Sequence, residues 1–292
     1  MYAHYKKLKK IKKDYDRFVD FSNSLEKSLI AGHADVGFFL SKKERETKYG
    51  QISFHDQSVL WAGLPKKYFG GKPEVYYRRK EHERVKELLQ PMKDKGQFIL
   101  IWSLAGSMWQ KAIYPWSKEV CDEFQRRHPN VFIIITAGPT YKNNVWEGKN
   151  VMSVVDKWPF RQALLSTRYA NALITPETGL GIGAGGYDTP KCMLMTAANL
   201  KNIIGEDKND FSIQSDAWCS PCHRAIYNMD LCDTQPMEEG VKVAYGNDKT
   251  ANKLPICVFF NKDKVLEQME KMYDLQHVPN WDGPSDERPV YM

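Results

Sequence analysis

Ala172-Leu-Ile-Thr-Pro-Glu-Thr-Gly-Leu-Gly-Ile-Gly-Ala-Gly-Gly-Tyr-Asp-Thr-Pro190 decides how this chain is read. A short apolar run ends in a polar turn carrying Glu177 and Thr178, then enters five glycines within eight residues. A buried strand that delivers an acid and a hydroxyl to a glycine-rich helix start has the makings of an anion site. Glycine lets a ligand approach the backbone, and the unpaired N–H groups of a helix start favour phosphate. The next apolar run, Lys191–Met195, reads as the following strand.

Working outward, Phe98–Trp102 and Val131–Thr136 read as strands, with a shorter one at Val151–Val155. Val85, Leu88 and Leu89 stand at helical spacing within Glu81–Leu89. Pro115 and Pro159 open further helices, because the first helical turn leaves an N–H unpaired in any case. Lys262–Tyr273 is a last helix. Arg17–Phe21 is a plausible first strand, and a helix is expected near Glu26. Near-continuous apolar strands alternating with helices predict a parallel sheet covered on both faces. Ligands of such sheets sit at the carboxyl ends of the strands. The loops there are Ser103–Tyr114, Ala137–Trp146, Pro176–Gly179 and Thr196–Asn199, with Thr196 at the end of its strand.

The 292 residues are 42% hydrophobic and 27% charged, an ordinary globular composition. No window reaches the ~18 apolar residues of a membrane span, and the first thirty residues lack a signal-peptide core. A cytoplasmic protein is expected. The net charge of +6 is partly concentrated in Lys6–Lys13. That run is either a solvated helix face or a peripheral contact with an anionic membrane surface. Nothing else resembles a nucleic-acid module.

Gly181-Ile-Gly-Ala-Gly-Gly186 satisfies G-x-G-x-x-G, which raises a nicotinamide or flavin oxidoreductase as one reading. The fingerprint normally turns straight out of the strand, whereas Pro176–Leu180 intervenes here. Gly106, Ser107 and Lys111 lie between a strand and a helix, where donors and a cation suit a diphosphate leaving group. Cys219, Cys222, Cys232 and Cys257 match the number of ligands in a structural zinc site, though the second pair lacks C-x-x-C spacing. His223 adjoins them, and plain thiols are the alternative.

These motifs together resemble glycosyltransferase family 9, the ADP-heptose–lipopolysaccharide heptosyltransferase type. Ser103–Pro115 resembles the family's small-residue loop closed by a lysine. Glu177-Thr178-Gly179 and Pro190 are similar to its Asp-Thr-Gly helix start and the proline before the next strand. The cysteine segment, Cys257-Val-Phe-Phe and the last helix also resemble the tail of many members. Glutamate replaces the usual aspartate, and Ile182 falls where many members have histidine.

The resemblance implies a Rossmann-like parallel α/β sheet of GT-B type with an incomplete first α/β domain. Residues 1–95 would be a partial acceptor-side domain, 96–275 the nucleotide-sugar-binding domain and 276–292 a tail. It further implies inverting transfer that needs no metal for the chemistry, from a nucleotide-sugar donor to a glycan or lipid-linked glycan. Gly106, Ser107, Lys111, Glu177, Thr178, Gly179 and Thr196 would hold the donor, with Glu177 accepting sugar hydroxyls or capping the glycine-rich helix. No catalytic base is legible. A non-catalytic nucleotide-sugar-binding module is the rival reading, and self-association through the first ninety residues is expected.

Overall fold

The computed structural model describes residues 41–49, 53–71, 75–104, 114–203, 209–223, 232–237, 243–245, 249–251 and 253–281. The expected strand at Arg17–Phe21, the helix near Glu26 and the basic run Lys6–Lys13 lie outside the described residues. Two short helices, α1 (Lys42–Tyr49) and α2 (Phe54–Trp61), precede α3 (Arg79–Asp94). The chain then runs through β1 (Phe98–Ser103), α4 (Ser117–Arg127), β2 (Val131–Thr136), β3 (Val151–Ser153) and α5 (Phe160–Thr167). Next come β4 (Ala172–Pro176), α6 (Gly179–Ala184), β5 (Lys191–Met195), α7 (Leu200–Ile203) and β6 (Ile213–Gln214). Four short strands follow: β7 (Thr234–Pro236), β8 (Val243–Tyr245), β9 (Lys249–Ala251) and β10 (Lys253–Pro255). The last helix is α8 (Lys262–Asp274).

The first six strands form one parallel sheet in the order β3-β2-β1-β4-β5-β6. Its strands are apolar on both sides because helices cover both faces. Phe98, Leu100 and Trp102 of β1 pack with Val120 and Phe124 of α4 and with Val265 and Met269 of α8. Ile99 and Ile101 point the other way, into Val85 and Leu89 of α3, Leu164 of α5 and Leu180 of α6. The expected strand at Val151–Val155 ends at Ser153, and Asp156 then turns the chain with a left-handed φ of 60°. The helix expected from Pro115 begins at Ser117.

Arg161 at the start of α5 ties that helix to α3, its Nε donating to Glu81 Oε1 over 2.8 Å. Arg78 N donates to the other Glu81 oxygen at the start of α3. The Arg161 hydrogen bond is the main cause that pulls the Glu81 carboxyl down to about 2. Because the folded value lies below the unfolded ~4.3, this contribution is complete above that value and fades as pH falls towards 2. The pair is partly exposed, so the loss should be below about 1 kcal/mol. Urea unfolding at pH 5 and pH 2.5 should show this increment, and Glu81→Gln should remove it.

At the amino edge, Asn171 Oδ1 accepts from Ile99 N (2.7 Å) while its Nδ2 donates to His277 O (2.9 Å). Trp281 is buried against Tyr169, with ring centroids 5.3 Å apart, and Lys93 Nζ sits 4.5 Å above the Trp281 ring. Residues 276–281, read from sequence as the start of a tail, therefore complete the core at this edge.

Candidate functional site

The strand order changes direction between β1 and β4: β2 and β3 lie to one side of β1, and β4 to β6 to the other. Loops leaving neighbouring strands in opposite directions open a crevice at their carboxyl ends. A small cleft with about 10 Å³ of enclosed space lies there, lined by Trp102, Ser103, Tyr114, Ile174, Pro176, Leu194, Thr196, Val258 and Phe260. Its polar groups are few and buried: Ser103, Tyr114 and Thr196. The Tyr114 hydroxyl has no hydrogen-bond partner among the described residues, and burial raises its pKa well above the ordinary tyrosine value. Sequence reasoning placed Tyr114 at the end of a site loop without giving it a role. Its buried, unpartnered hydroxyl is a tertiary property that no motif carries.

Glu177 leaves β4 on the same edge and is buried. Its Oε1 accepts from Thr196 N, from Ala197 N (2.6 Å), from Ala198 N (3.2 Å) and from the Thr196 hydroxyl (3.2 Å). Oε2 lies 3.3 Å from Ala198 N. Three successive N–H groups after β5 make an anion-binding concavity, and the protein fills it with its own carboxylate. The glycine-rich helix is capped by Thr178 instead, whose Oγ1 accepts from Gly181 N (3.3 Å) and meets Thr175 Oγ1 at 2.8 Å.

The glycines of the G-x-G-x-x-G match lie inside α6 and the turn after it. A Cβ on Gly181 would stand 2.8 Å from Thr175 Cγ2 and from Met193, and one on Gly183 2.6 Å from Leu164 Cδ1. These two glycines permit close helix packing rather than approach to a pyrophosphate. Gly179 opens α6 beside the exposed ring of Phe160.

Thr196, Glu177, Thr178 and Gly179 are thus brought to one edge. Gly106, Ser107 and Lys111 lie outside the described residues. Their loop nevertheless starts from Ser103 and Leu104 and returns at Tyr114, so both of its anchors sit at the cleft.

The four cysteines of the proposed metal set gather in another place. β7 and β10 pair antiparallel with Pro255 opposite Thr234, and Ile256 N donates to Asp233 O (2.9 Å). The ladder ends there, and Cys257 lies in the tight turn Ile256–Val258 that follows. Cys257 packs with Leu254 and Val258 in a small cluster that also receives Ala217, two residues before Cys219. Burial first, and then the charges of Cys222, Cys219 and Cys232, push the Cys257 thiol well above its ordinary value. No disulfide joins any of the six cysteines. Among the described residues, no three His, Cys, Asp or Glu side chains are disposed as a ready metal-ligand set. His223 is buried, and neither of its ring nitrogens has a partner among the described residues.

No protein-family model matches the chain, and no curated protein matches it in sequence. Among solved structures, the glycosyl transferase family 9 protein from Veillonella parvula DSM 2008 superposes with a TM-score of 0.55 at 13% identity. The match covers 77% of this chain and 61% of that one. ADP-heptose lps heptosyltransferase II of E. coli gives a TM-score of 0.46 at 9% identity, over 70% of this chain and 54% of that one. This chain thus spans between about half and three-fifths of the length of these structures. The Veillonella likeness shows a common fold, a Rossmann-like parallel α/β sheet of the GT-B type.

Proposed function

We propose that the chain binds a nucleotide-sugar donor at the cleft between β1 and β4 and serves glycosyl transfer to a glycan or lipopolysaccharide-type acceptor. The observation that carries this reading is the cleft itself: a partly apolar, partly hydroxyl-lined crevice at the strand-order reversal of a GT-B-type sheet. Transfer is taken to invert the anomeric carbon, with no metal in the chemical step. Catalysis would then rest on positioning and on stabilising the departing diphosphate.

In this reading Lys111, Gly106 and Ser107 meet the diphosphate from one loop, and Thr178 and Gly179 from the other. The Tyr114 hydroxyl offers a hydrogen bond to the nucleoside. Glu177 acts one step back. Its carboxylate holds the turn that presents Thr196 to the cleft. Residues 1–95 are assigned to the acceptor side, and Lys6–Lys13 to contact with an anionic membrane surface from the cytoplasm. That same amino-terminal part would carry any self-association.

Calorimetric titration with nucleoside diphosphates tests the reading. Lys111→Ala should weaken binding by roughly 1–3 kcal/mol, the range for a charged hydrogen bond, and Thr178→Val should weaken it less. Parent-like affinity in both variants would move the phosphate site elsewhere. Binding of the nucleotide sugar without turnover on any glycan acceptor would leave a nucleotide-sugar-binding module. A dinucleotide released on denaturation, detected by absorbance, would instead favour an oxidoreductase.

A further inference from the structure

We propose that His223 reads the sugar of the nucleotide-sugar donor, its imidazole exchanging hydrogen bonds with hydroxyl groups of a pyranose ring. The inference rests on the donor reading of the cleft and adds a residue that decides which sugar is accepted. His223 is only 6% exposed, yet neither Nδ1 nor Nε2 has a hydrogen-bond partner among the described residues. Whichever nitrogen carries the proton, the ring holds a donor or an acceptor at each, and leaving both unmet inside a protein is costly. The backbone adds to that cost, because φ is 49°, in the left-handed region that few side chains adopt. Residues held at such a cost collect where a protein binds something.

The loop that carries the ring is clamped from two directions. Lys42 Nζ donates to Trp218 O (3.0 Å) and Ser220 O (3.2 Å), and the buried Arg45 donates through Nε to Cys222 O (2.6 Å). Helix α1 thus grips the loop by its carbonyls. On the other side, Ser220 Oγ donates to Thr196 O (2.8 Å), and His223 N donates to Ala197 O (2.7 Å). Gln214 Nε2 donates to both Ser220 Oγ (2.8 Å) and Met195 O (3.2 Å). The imidazole is carried between α1 and the Glu177 turn, where the charges of Glu46, Arg45, Glu177 and Lys42 all act on it. A buried ring on a backbone fixed this firmly is arranged in advance for a ligand.

Its place and its chemistry together identify that ligand. Thr196 lines the cleft, and His223 is bonded to the next residue of the same turn. With the diphosphate at Thr178 and Gly179 after β4, the sugar attached to it comes beside the end of the neighbouring strand β5. Glu177, the acid expected from sequence to accept sugar hydroxyls, is engaged by the turn itself: Oε1 receives Ala197 N and Ala198 N, and Oε2 lies at Ala198 N. The task passes to another polar group at the same turn. An uncharged imidazole, the form that burial favours, carries one donor and one acceptor. A sugar hydroxyl both gives and accepts a hydrogen bond, whereas a phosphate oxygen only accepts. The ring therefore matches hydroxyls rather than the diphosphate.

Calorimetry on the full chain compares ADP with ADP-glucose, UDP with UDP-glucose and GDP with GDP-mannose. For the pair that binds best, the ratio of the two affinities measures what the sugar adds. His223→Phe should cut that ratio about three- to tenfold, the loss of one neutral hydrogen bond, and leave the nucleoside diphosphate affinity within about twofold. His223→Asn keeps a donor and an acceptor and suits a left-handed φ, so it should recover part of the ratio. Because the phenylalanine variant could fail to fold, the unmodified chain is also read directly by NMR with ¹⁵N-labelled histidine. Ring signals missing from the His223→Asn spectrum belong to His223. They should shift with the nucleotide sugar and stay in place with the nucleoside diphosphate alone. Signals that ignore the sugar, or an unchanged ratio in a folded His223→Phe, overturn the proposal and leave a ring satisfied by buried water. A parent chain that binds none of the nucleoside diphosphates instead overturns the donor reading beneath it.

Discussion

Glu177→Ala should lower the unfolding free energy by about 3–5 kcal/mol, the largest effect expected from any single polar residue here. The carboxylate is buried and receives Thr196 N, Ala197 N and Ala198 N together with the Thr196 hydroxyl. Removing it leaves those N–H groups inside the protein facing a void that water cannot fully serve. Glu177→Gln keeps one carbonyl oxygen for the turn but turns an NH₂ towards donors, so about 1–3 kcal/mol is expected. Urea unfolding of the three proteins gives the ranking. An alanine variant within 1 kcal/mol of the parent would mean that the grip on the turn is energetically empty.

Gly183→Val should cost about 2–3 kcal/mol through overpacking. The new Cβ alone would stand 2.6 Å from Leu164 Cδ1, and Leu164 is itself a buried residue of α5. Shortening the obstructing side chain in Gly183→Val/Leu164→Ala should recover part of that loss relative to the sum of the single variants, the mark of two residues in contact. Additive single costs would show that α6 escapes the clash by moving as a unit.

How far these features could be read beforehand follows from the range of the forces that make them. Val131–Thr136 and Lys191–Met195 form strands at the expected residues, because a run of buried apolar side chains is a local signal. The helix over Glu81–Leu89 extends to Arg79–Asp94 and continues past Pro91, since packing of Val85, Leu89 and Met92 outweighs local preference. The order of the six strands is carried by pairing between segments, and no single segment announces its neighbour. The glycines of α6 were legible as close approach, although what approaches Gly181 and Gly183 is protein. The carboxylate of Glu177 sits beside the expected site, but its partners lie 19 to 21 residues further along the chain. Only the folded sheet brings the end of β4 against the end of β5.

The tie at the amino edge has a consequence for how the protein is made. Asn171 holds β1 through Ile99 N with one atom of its amide and the chain beyond α8 through His277 O with the other. A nascent chain can form β1, α4 and β2 as they emerge, yet Asn171 and Tyr169 lack their partners His277 and Trp281 until those residues have left the ribosome. Parallel sheets are slow to close, because their partners are far apart in sequence. The two apolar faces, one awaiting Trp281 and the other α8, would be the surfaces that chaperones find first. Once closed, the fastening works in reverse. The segment after the last helix cannot leave without releasing Asn171 beside the central strand, so the unit should open all at once.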